Sequence, residues 1–131
     1  ACRLAGQEMK KNMKKVSVMR ERLKNGLTHA IPGIKFHVDD GVSRLPGNLH
    51  IALPCKEMDM FMAILGEHVA ISFGSACMSS TTQKSYVLKA MATPDDEIIR
   101  SVRIGIGKFN TENEMDEAVR HIVSALDIAG G

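Results

Sequence analysis

Two periods of apolar residues alternate along this chain of 131 residues. Between about residues 3 and 25, Leu4, Met9, Met13, Val16, Met19 and Leu23 recur every three to five positions, with Lys and Arg between them. That spacing predicts an amphipathic helix, and Asn25-Gly26 predicts its end. Pro32-Gly33 reads as a turn, followed by a short strand over Ile34 to Val38. In "NLHIALP", Leu49, Ile51 and Leu53 share one face, so a strand is expected, ending at Pro54. A second amphipathic helix is predicted from about Glu57 to Gly66, then a short buried strand in "VAIS". A loop around Cys77, a helix over Gln83 to Met91, a helical piece in "TPDDEII" and a strand in "SVRIGIG" follow. Thr111 and Glu114 have capping-box spacing, in which hydroxyl and carboxylate satisfy each other's free amides. They open a last helix carrying Met115, Ala118, Val119, Ile122, Val123 and Leu126. The order α-β-β-α-β-α-β-α predicts an α+β fold: one domain over 1–131, a small sandwich of a short mixed sheet with helices packed on it.

Composition changes this picture little. Hydrophobic residues at 44% and charged residues at 24% are ordinary for a soluble globular domain. Nine Met point weakly to adaptable contact surfaces. The net charge of +2 is too small to argue for nucleic acid, and no apolar run reaches membrane-spanning length. Ala1 to Leu27 carries eight Lys and Arg against Glu8 and Glu21, a local +6. A solvated helix face explains that excess; a basic face for an acidic partner is the alternative. Cys2, Cys55 and Cys77 match no zinc or haem spacing, and their odd number argues against a disulfide framework. A reducing compartment is expected, the cytoplasm or an organelle matrix. The opening "ACRLAGQEMKK" lacks an initiator Met and the apolar core of a secretion signal, and reads as a cut end.

The candidate chemistry lies in "ISFGSACMSSTTQKSYVLKAM". Cys77 follows a predicted strand, precedes a predicted helix, and is surrounded by Gly74, Ser75, Ala76, Ser79 and Ser80. Small residues bury little apolar surface, so such a loop is expected to swing and to present its thiol to something outside the domain. Reactivity needs a thiolate, favoured by helix N-termini and nearby cations. The competing reading is an inert small hydrophobe, which is how Cys2 and Cys55 are read. Arg103, in a strand of alternating residues, reads on its own as a solvent-facing or edge charge. His29, His37, His50, His68 and His121 belong to no motif and read as surface or core imidazoles. "GIG" at Gly105 to Gly107 lacks the third glycine of a dinucleotide loop, and reads as close backbone packing and a turn.

"SFGSACMSS" resembles the active-site loop of the pyridoxal-phosphate-dependent cysteine desulfurases, within the class V aminotransferase family. "KSYVLKAM", "SVRIGIGKFNTENEMDEAV", "VMRERLKNGL", "IPGIKFH" and "RLPGNLHIALP" resemble further stretches of that family in the same order, so the resemblance covers nearly the whole chain. It implies the small C-terminal domain of a two-domain, homodimeric enzyme. Cys77 would be the nucleophile that takes sulfur from L-cysteine as a persulfide, releasing alanine, and passes it to an acceptor or scaffold protein for iron–sulfur cluster or other sulfur assembly. Arg103 would grip the substrate carboxylate. The large cofactor-binding domain has no counterpart here, and no Lys stands in a cofactor-binding context. The isolated chain is therefore expected to bind no pyridoxal phosphate, to hold no metal and to release no alanine. Phe73 stands where a small residue is usual, and Gln83-Lys84 where the family often has Glu-Pro. A non-enzymatic sulfur-relay or scaffold-binding module on the same fold is the alternative, and a plain interaction domain the third.

Overall fold

The computed structural model describes residues 2–38, 41–73 and 85–130, without the side chains at 2, 4 and 5. The order of elements is α1 (Cys2–Ala30), β1 (Lys35–Phe36), β2 (Asn48–Ala52), α2 (Met58–Leu65), β3 (Ser72–Phe73), α3 (Tyr86–Ala90), α4 (Asp95–Ile99), β4 (Ser101–Gly105) and α5 (Glu112–Ile128). The α+β class and the element order follow the hydrophobic pattern.

The sheet order is β1-β2-β4-β3, and every ladder is antiparallel rather than mixed. Strands β2 and β3 do run in one direction, joined through α2, as a β-α-β pattern suggests. Strand β4 is inserted between them, however, so neither pairs with a parallel neighbour. This is a split β-α-β arrangement.

One face of the sheet carries the core. Leu49 and Ile51 of β2 and Val102 and Ile104 of β4 are buried with Val16, Met19, Leu23 and Leu27 of α1, Phe61 and Leu65 of α2, and Met115, Ala118 and Ile122 of α5. Each such aliphatic or aromatic side chain contributes roughly 1.5–3 kcal/mol on burial, which fixes the strand register. The capping box forms as expected: Thr111 Oγ1 accepts from Glu114 N, and Glu114 Oε2 accepts from Thr111 N at 2.8 Å.

Three expectations need correction. Helix α1 does not stop at Asn25-Gly26 but continues to Ala30, because Leu27 and Ile31 extend the buried stripe. Gly26 serves a close approach: a Cβ there would lie 2.7 Å from Val119 Cγ2 on α5. The "VAIS" strand is not buried, since β3 is a two-residue edge strand with Phe73 exposed and Ile71 half-buried. Gly105 has open space where a Cβ would point, so it is not packed closely. The tight spot is Gly47, where a Cβ would lie 2.3 Å from the carbonyl oxygen of Ile106. The turn at Gly107 is real, its N–H donating to Asn110 Oδ1 at 2.8 Å.

Candidate functional site

Because side chains alternate across a strand, the positions between the core residues fall on the other face of the sheet. There Arg103 of β4 lies opposite His50 of β2 on one side and Ser72 of β3 on the other. His37, whose N–H donates to the His50 carbonyl at 3.1 Å, extends the row beyond β1. The row therefore reads His37, His50, Arg103, Ser72 across the full width of the sheet.

The ladder pattern fixes how close these side chains come. Ile106 N donates to Gly47 O and Leu53 N to Arg100 O. Counting in twos from those bonds makes His50–Arg103 a non-hydrogen-bonded pair, the kind in which opposed Cα atoms sit about 4.5 Å apart and side chains press together. The rings of His37 and His50 meet edge to face, with centroids 4.7 Å apart. A polar chain anchors the outer ring. Ser101 Oγ donates to the Glu97 carbonyl at 2.6 Å and stands 2.7 Å from His37 Nε2. Its hydroxyl proton being used, Ser101 accepts, so His37 carries its proton on Nε2.

Charge in this row is concentrated in one group. Burial pushes the pKa of His50 down to about 4, with His37 and Arg103 opposing a further charge beside them. Burial also lowers the pKa of His37, against a weaker pull from Glu97. The imidazoles of the row are thus neutral at neutral pH, and Arg103 is its formal cation. Arg103 is exposed and takes no part in the ion pairs formed among the described residues. Such a guanidinium, held in a strand and lacking a carboxylate, can take one from a ligand. Lys35, the lysine of the sheet, is tied instead to Glu97.

Of the two site residues expected from sequence, Arg103 stands at the centre of this row, and Cys77 lies outside the described residues. Cys55 is buried in the core and burial raises its pKa, as suits an inert thiol. His37 and His50 form the pair just described, and His68 stacks on His121 at 4.3 Å beside a cleft of about 400 Å³. His50 was visible in principle: it sits between Leu49 and Ile51, so alternation places it opposite the core. Its contact with Arg103 depends on a register between strands some fifty residues apart. Among the described residues no three His, Cys, Asp or Glu side chains converge as metal ligands. Among them, too, no helix is long and apolar enough to cross a membrane.

The fold is that of the NifS-like proteins. A NifS-like protein from Rickettsia africae superimposes with a TM-score of 0.79 at 22% identity, covering 95% of this chain and 31% of that one. A second NifS-like protein gives 0.76 at 23% identity. No family model matches the chain. Curated relatives do: a mitochondrial cysteine desulfurase of Arabidopsis thaliana is 37% identical over 97% of this chain, and a human cysteine desulfurase 35% identical over 94%. The cysteine desulfurase IscS of an Anaeromyxobacter strain is 38% identical over 96%. Over nearly its whole length the chain is similar to the cysteine desulfurases. It spans only 28%, 26% and 31% of the length of those three relatives.

Proposed function

We propose that these residues are the small domain of a pyridoxal-phosphate-dependent cysteine desulfurase, working on a cofactor held by another part of the enzyme. Arg103 grips the α-carboxylate of L-cysteine, and Cys77 receives its sulfur. The observation that supports this most is the row on the open face. The guanidinium lacks a carboxylate partner among the described residues and is in register with Ser72, two residues before the stretch that leads to Cys77. Five residues span at most about 18 Å, so Cys77 is tethered within reach of a substrate held at Arg103.

The cofactor needs a lysine for a Schiff base and a cradle of donors for its phosphate, and on this reading another part of the enzyme supplies both; Lys35, the lysine of the sheet, is tied to Glu97. When bound elsewhere, the cofactor supplies an electron sink. In the overall exchange the Cys77 thiol and L-cysteine give a Cys77 persulfide and alanine. One carbon–sulfur bond breaks, one sulfur–sulfur bond forms, and the two electrons released by the thiols reduce the substrate's Cβ. The persulfide is then available to an acceptor or scaffold protein, with the whole enzyme a homodimer in a reducing compartment.

The test is to mix the chain with a cofactor-bearing domain and L-cysteine. Mass spectrometry should find one added sulfur atom on Cys77, and none in Cys77→Ser. Arg103→Lys should raise KM about 10- to 100-fold, the worth of a charge-assisted bidentate contact. Sulfur uptake by Cys77 from a persulfide donor, without cofactor and with no dependence on L-cysteine, would favour a relay module instead.

A further inference from the structure

We propose that His50 is a positioning residue for the carboxylate clamp: its ring, wedged between His37 and Arg103, turns the Arg103 guanidinium toward the Ser72 side of β4. This rests on the reading of Arg103 given above and deepens it.

Four observations carry the inference. First, His50 and Arg103 form a non-hydrogen-bonded cross-strand pair, so the imidazole fills the space into which the arginine stem would otherwise lean. Second, the opposite neighbour in the row is Ser72, whose side chain is much smaller than the imidazole. Third, the wedge is backed. The Glu97 carbonyl holds the Ser101 hydroxyl, Ser101 holds the His37 ring, and that ring abuts His50 edge to face. Fourth, His50 Nε2 is buried without a hydrogen-bond partner among the described residues, so packing rather than bonding with them sets the place of that end of the ring. A polar atom left so costs stability, as groups kept for function often do.

An arginine free to sweep several rotamers loses entropy when it closes on a carboxylate; one already turned loses less. The expected signature is therefore in substrate capture. In the whole enzyme carrying this segment, His50→Ala should raise KM for L-cysteine about 5- to 10-fold with kcat within about twofold, and His50→Gln should restore most of it. In the 131-residue chain, NMR relaxation of the Arg103 Nε–H should show restricted motion. That restriction should be lost in His50→Ala and regained in His50→Gln, with circular dichroism confirming that the variants fold. Unchanged Arg103 motion in a folded His50→Ala overturns the inference. So does an unchanged KM in that variant where Arg103→Lys raises it. If Arg103→Lys itself leaves KM unchanged, the clamp reading fails, and Arg103 motion alone then decides whether the wedge exists.

Discussion

The two faces of one four-stranded sheet are built by opposite rules. Toward the helices, Leu49, Ile51, Val102 and Ile104 lose nearly all contact with water and are held by apolar packing. On the other side, residues one step along the same strands make a row held by a hydroxyl, two neutral rings and a single cation. The first face is apolar at these positions and packs into the hydrophobic core. The second keeps, among the described residues, an imidazole nitrogen without a hydrogen-bond partner and a guanidinium without an ion pair. The apolar core and the proposed carboxylate clamp are thus separated by one residue of strand, and a one-residue slip would exchange their faces.

Substitutions in adjacent positions should expose that division. Ile51→Ala deletes a fully buried side chain and should cost about 3 kcal/mol by urea denaturation, against less than about 1 kcal/mol for the neighbouring His50→Ala. Ser101→Ala comes next, at about 1–2 kcal/mol. It faces the open side yet is buried, and it removes the bond to Glu97 and the acceptor for His37. Equal losses for Ile51→Ala and His50→Ala would erase the contrast between the faces. The smallest effect is in pH. The folded His50 pKa of about 4 lies below the unfolded value near 6.5, so in that interval the unfolded chain binds more protons. Stability should fall as pH drops from about 6.5 to 4, by about 1 kcal/mol because the ring is partly solvated, and His50→Gln should flatten the curve there. Exposed Asp116 and Asp96, whose pKa values hydrogen bonds to Arg22 and Arg100 lower, act only below that window.

Most of the fold was legible in the sequence because it follows from local period and capping. The helix opened by Thr111, the strand around Ile51 and the strand around Val102 fall where alternation and the capping box put them. What local pattern could not supply was how far elements run once others press on them. Gly26 reads as a helix stop in isolation, and only the approach of Val119 reveals it as a contact point. Nor does local pattern give sheet order, which depends on a strand arriving from fifty residues away. The site was half legible for the same reason. Arg103 could be placed by a motif, whereas the partnership of His50 with it exists only across a ladder.

The insertion of β4 between β2 and β3 also dictates a sequence of assembly. Until residues 101–105 are available, the two earlier strands have no common neighbour, and each leaves an edge with free amides and carbonyls. The centre of the sheet is therefore the last place to close. A nascent chain must keep those edges apart from other chains until residues 101–105 have emerged, and an interruption before Ser101 would leave them open to aggregation.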